Sequence, residues 1–89
     1  PVRPARGALL RLVLEDGKTP PPGAQVRLED RAERFTVGLD GEVYLTGLAA
    51  TNRARAEWNG RRCAFEVRAP KNAEPVPHLG TVLCREDRP

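Results

Sequence analysis

Hydrophobic and polar residues alternate with a period of two along most of this chain, the pattern of strands that lay one face on a core. The first run, residues 8 to 14, puts Leu10, Leu12 and Leu14 on one side and Arg11 on the other. A second run alternates Ala24, Val26 and Leu28 with Gln25, Arg27 and Glu29. Between them, Asp16 to Gly23 holds three consecutive prolines, which have no N–H to give to a central ladder, so this stretch is expected to be a link.

Phe35 and Val37 form the next inward pair, and the residues that follow predict a hairpin. A two-residue Asp40-Gly41 turn would set Val37 opposite Tyr44. A three-residue loop, Leu39 to Gly41, in which Gly41 supplies the positive φ, sets Val37 opposite Val43 and Phe35 opposite Leu45. The second register is preferred because it gathers four apolar side chains on one face and leaves Tyr44 beside Thr36 on the outer one; a slip of one residue would invert every side.

Asn59-Gly60 between two alternating segments is a stronger hairpin signal. It places Trp58 opposite Arg61, Ala56 opposite Cys63 and Ala54 opposite Phe65, with Arg53, Arg55 and Glu57 pointing outward. From Pro70 a polar, proline-bearing loop is expected to run to Pro77, followed by a last strand from His78 to Cys84 with Val82 and Cys84 on one face.

These runs make seven short strands in 89 residues, with nine prolines, eight glycines and no sustained helical period. The expected fold is all-β: a small seven-stranded β-sandwich, immunoglobulin-like or transthyretin-like, rather than a barrel. The length predicts one domain over residues 1–89 with its core at about 7–85, small enough that a covalent staple would help it considerably. The absence of an initiator methionine, of a leader and of a long apolar run predicts a segment of a longer chain that does not itself insert into a membrane.

Fifteen basic residues face twelve acidic ones, and thirteen of the fifteen are arginines spread over the whole length. Such scatter reads as a solvated surface. Nucleic-acid binding would call for basic residues clustered on one face with aromatic platforms among them, and none of the four aromatics sits in a basic cluster, so no nucleic acid is expected.

Cys63 and Cys84 both fall on inward positions of late strands, about twenty residues apart, with no further Cys or His at ligand spacing. They read as a disulfide rather than a metal pair, which implies an oxidising compartment. The other state is two buried thiols in a cytosolic domain; a thiol count under denaturing, non-reducing conditions separates the two.

Catalysis finds no support. With no serine, a single histidine and no histidine near a cysteine, neither a serine nor a cysteine triad can be assembled. His78 beside Pro77 reads as a polar residue at a strand entrance. The carboxylates alternate with arginines on outward faces, as in solvated ion pairs, and no glycine group forms a phosphate-cradling loop ahead of a helix. No cofactor, metal site or catalytic residue is expected.

The motifs carry a more specific signal in their order. Arg6-Gly7-Ala8, Pro22-Gly23-Ala24-Gln25-Val26, Gly38, Gly41, Val43-Tyr44-Leu45, Gly47-Leu48, Trp58, Cys63 and Cys84 together resemble the C-terminal periplasmic domain of outer-membrane fimbrial ushers, over roughly residues 5 to 85. The chain departs from that pattern at Pro22, where the family commonly has an aromatic or aliphatic residue before its Gly-Ala.

The resemblance implies a periplasmic binding domain that holds chaperone–pilin subunit complexes at the usher pore while one β-strand is exchanged for another without nucleotide. Its partners would be those complexes and the other domains of the parent usher, at the periplasmic face of the outer membrane. Tyr44 is the expected contact anchor, since an exposed aromatic offers contact area at low entropic cost. Arg27, Arg53 and Arg55 would pair with acidic groups. The competing readings are a structural or adhesion-type extracellular sandwich without chaperone binding, and a substrate-binding sandwich appended to an enzyme.

Overall fold

A computed structural model describes residues 6–69 and 77–86. Seven strands follow in order: β1 (Arg6–Leu14), β2 (Gln25–Leu28), β3 (Arg34–Thr36), β4 (Glu42–Leu48), β5 (Thr51–Trp58), β6 (Arg61–Arg68) and β7 (His78–Glu86). The sheet order is β3-β2-β5-β6-β7-β1-β4. The sheet folds over into a β-sandwich, with β3, β2, β5 and β6 in one layer and β4 and β1 in the other.

β7 joins the layers. It runs parallel to β1 from Leu9 opposite His78 to Leu14 opposite Cys84, then pairs antiparallel with β6 at Ala64–Arg85 and Cys63–Glu86. The Cys63–Cys84 disulfide, with Cα atoms 5.3 Å apart, ties β6 to β7 beside this crossing. Both cysteines are fully buried, as their phase in the alternation predicts.

The core follows the period-two pattern closely. Leu10, Leu12 and Leu14 from β1 meet Val26 and Leu28 from β2, Val43 and Leu45 from β4, and Phe65 and Val67 from β6. Trp58 and Phe35 pack at its margin, half-buried. At about 25 cal/mol per Å² of apolar surface removed from water, this interior supplies the main favourable term of folding.

The β5–β6 hairpin has the predicted register, Trp58 opposite Arg61, Ala56 opposite Cys63 and Ala54 opposite Phe65. Asn59 and Gly60 take φ of 46° and 74°, the pair of left-handed residues that a two-residue hairpin turn requires.

The predicted Val37–Val43 and Phe35–Leu45 pairs are not formed. Phe35 stands opposite Val26 on β2, while Val43 and Leu45 stand opposite Leu10 and Ala8 on β1. β3 and β4 are the two ends of the sheet, brought together when it folds over and joined through a tight turn, Leu39–Gly41, in which Asp40 and Gly41 both take left-handed φ, 56° and 76°. The Gly38 N–H bonds the Glu42 carbonyl at 2.7 Å across that turn. Tyr44 accordingly lies opposite Leu9, not beside Thr36.

The inward and outward assignment survives the change of partner, since Val37, Val43 and Leu45 are buried and Tyr44 is exposed. Gly41 has the expected positive φ, 76°, and a second constraint besides: a Cβ there would overlap the Leu12 carbonyl oxygen and press on Thr19.

One buried polar side chain organises the β4–β5 corner. Asn52, 9% exposed, accepts from the Ala49 N–H at 2.8 Å and donates to the carbonyls of Ala49 at 2.8 Å and Val67 at 3.1 Å. The linker prolines lie outside the ladders, as expected, and Pro20 is buried. The proline-bearing loop expected from Pro70 falls at 70–76, outside the described residues.

Candidate protein-interaction faces

Two outward faces result from this alternation, one on each layer. On the β4–β1–β7 layer Tyr44 is 45% exposed, and its ring leans over Gly7, where a Cβ would collide with the phenol. Its cross-strand neighbour is the half-buried Leu9. Farther along the same face Val13 stands opposite Leu83, which is 41% exposed. These apolar groups are interspersed with polar ones. Arg11 Nε donates to the Asp40 carbonyl at 3.0 Å, and His78 Nε2 stands 3.9 Å from Glu42. The Gly80 N–H donates to His78 Nδ1 at 2.9 Å, leaving the neutral ring's proton on the nitrogen toward Glu42.

The opposite face carries the arginines. Arg27 stands directly across from Arg34 on β3 and from Arg55 on β5. Arg55 stands across from Ala64, and Ala64 from Arg85. One cross-strand row therefore reads Arg34, Arg27, Arg55, Ala64, Arg85. Arg53, two residues before Arg55, stands opposite Glu66. Arg68 lies 3.6 Å from that same glutamate. A groove of about 660 Å³ opens along the row, with Arg27, Arg53, Arg55 and Arg85 on its walls and Ala64 on its floor. Beyond the Ala64–Arg85 pair, where β7 leaves β6, it reaches Phe65, Val82 and Leu83.

A third cluster flanks the Asn59-Gly60 turn. The Arg61 guanidinium lies 5.4 Å from the centroid of the Trp58 ring and forms an ion pair with Glu86. The hydrogen bond to Glu86, and then its charge, raise the Arg61 pKa above its ordinary value.

The residues expected to make contact are thus not on one surface. Arg27, Arg53 and Arg55 share the β2–β5 side, and Tyr44 lies on the other layer. Arg34, Arg85 and Ala64 complete the row and were not singled out from sequence. Arg55 opposite Ala64 could have been read from the Asn59-Gly60 register, whereas Arg34 and Arg85 enter through non-local pairings. Among the described residues no group of three or more His, Cys, Asp or Glu is placed to hold a metal ion.

Residues 9–71 match the family model described as the PapC C-terminal domain. The chain belongs to that family. It is similar to the outer membrane usher protein CssD of Escherichia coli, 38% identical over 60 residues covering 64% of this chain and 7% of the relative. A second CssD protein from Escherichia coli is 37% identical over the same shares. The chain therefore spans only a small part of the length of the curated relatives it matches.

The solved structures of family members extend the likeness beyond residue 71. The C-terminal domain of the Caf1A usher matches with a TM-score of 0.81 and 25% identity, covering 92% of this chain and 99% of that one. For that protein, conserved hydrophobic clusters on the surface are described as important for F1 antigen assembly. The C-terminal domain of the PapC usher matches with a TM-score of 0.72 and 27% identity, over 90% and 99% of the two chains. A structure relating the PapC C-terminal domain to its plug matches with a TM-score of 0.68 and 26% identity, over 93% and 95%.

Proposed function

We propose that this chain is the C-terminal periplasmic domain of an outer-membrane usher and that it holds chaperone–pilin subunit complexes at the pore during pilus assembly and secretion. One observation carries the reading: the match of residues 9–71 to the PapC C-terminal domain, in a chain whose relatives are outer membrane ushers. The Cys63–Cys84 disulfide supports the periplasmic face of the outer membrane, because such bonds persist in oxidising compartments.

The domain works by binding. Its described residues share one core, and the domain positions an incoming complex against the parent usher's other domains, raising the effective concentration of the subunits that exchange strands. The Caf1A surface clusters suggest apolar contacts, and here the outward apolar groups include Tyr44 with Leu9, Leu83 with Val13, and Leu39 in the β3–β4 turn. Arg27, Arg53 and Arg55 provide a charged counterpart on the other layer. Calorimetric titration of the domain with a cognate chaperone–subunit complex, and with chaperone alone, tests the reading. Saturable binding of the complex is expected; no heat from either partner at high micromolar concentration would contradict it.

A further inference from the structure

Like charges directly opposite each other in a ladder destabilise a sheet. The sequence of this domain nonetheless sets Arg27 between Arg34 and Arg55, then leaves alanine between Arg55 and Arg85. Neighbouring strands lie about 4.8 Å apart, so the guanidiniums of Arg55 and Arg85 stem from backbones roughly 10 Å apart with only the Ala64 methyl between them. That gap is the floor of the groove. Four arginines line it against two glutamates, Glu29 and Glu66. The groove is therefore cationic, with an apolar end at Val82 and Leu83.

We propose that this groove binds an extended acidic segment of a protein partner, with a carboxylate over Ala64 between Arg55 and Arg85 and an apolar side chain against Leu83. Side chains on one face of an extended peptide recur about every 7 Å, within reach of successive long arginines along the row. Planar guanidiniums suit carboxylates, which they hold through paired N–H donors. The apolar end favours a protein segment over a phosphate or a lipid headgroup, neither of which offers it a side chain. The owner of the segment rests on the assembly reading above, which makes it part of the chaperone–subunit complex; the chemistry of the groove does not.

Ala64 is exposed, so its side chain can be changed without disturbing the core. The test compares the unmodified domain with A64E and A64Q, using as probe a peptide that alternates aspartate with threonine around a central valine, and the same peptide with asparagine for aspartate. The expected result is salt-sensitive binding of the acidic peptide alone, weakened at least fivefold by A64E and less than twofold by A64Q. Equal loss in both variants, no loss in either, or no binding of the acidic peptide would overturn the proposal. So would inorganic phosphate or phosphatidylglycerol vesicles displacing the peptide from the groove at matched charge concentration. A chaperone–subunit complex that binds the domain equally well before and after A64E sinks the groove and spares the assembly reading. A peptide that behaves as expected while the complex does not bind at all does the reverse.

Discussion

Arg27 and Arg55 stand directly opposite each other across the β2–β5 ladder, with Arg34 opposite Arg27 on the other side. Replacing the middle charge with its opposite, R27E, sets a carboxylate opposite both Arg34 and Arg55. The isolated domain is expected to gain about 0.5 kcal/mol in urea unfolding, while its affinity for an acidic partner falls. A variant that lost stability would show that the row is not repulsive as placed.

Removing the disulfide tests how far so small a core stands alone. With Cys63 and Cys84 separated by 21 residues, the C63A/C84A double variant is expected to lose about 3 kcal/mol by the chain-entropy estimate. Its urea midpoint, compared with that of the unreduced domain, measures the loss. The denatured but unreduced domain should give no free thiol.

Gly41 and Gly60 both have positive φ, but only Gly41 also touches its surroundings at the Cβ position. G60A should cost about 1 kcal/mol, the price of a left-handed alanine. G41A should cost clearly more, because alanine there adds an overlap with the Leu12 carbonyl oxygen to the same backbone strain. Equal urea midpoints for the two variants would contradict the packing around the Leu39–Gly41 turn.

Asn52 holds the β4–β5 corner through three hydrogen bonds to backbone groups. N52A leaves those groups without their side-chain partner at a buried site and is expected to destabilise the domain by about 2 kcal/mol. Amide hydrogen exchange at Ala49 should accelerate more than exchange at the distant Arg27, which localises the effect.

The parts of this fold that were legible in the sequence are those set by local rules. The Asn59-Gly60 turn determines its register by loop length alone, so every β5–β6 pair could be written down in advance. The cysteines could be placed because both sit in phase with inward neighbours. The β3–β4 assignment failed because closeness along the chain does not say which strands pair. Leu10 and Ala8 on β1, more than thirty residues upstream of β4, provided the ladder instead. The same limit hid the arginine row, whose members come from four separate strands. Asn52 did leave a signal, since it shares the inward phase of Ala54 and Ala56.

The sharpest test of the assembly reading is to label the domain with ¹⁵N and follow its backbone amides as a cognate chaperone–subunit complex is added. The account predicts saturable shifts confined to the outward faces, around Leu9 and Tyr44 on one layer, around Arg27 and Arg55 on the other, and around Leu83 and Arg85 on β7 where the two layers join, with the core amides unmoved. A spectrum unchanged in shift and linewidth at high micromolar complex would contradict a holding role for this domain.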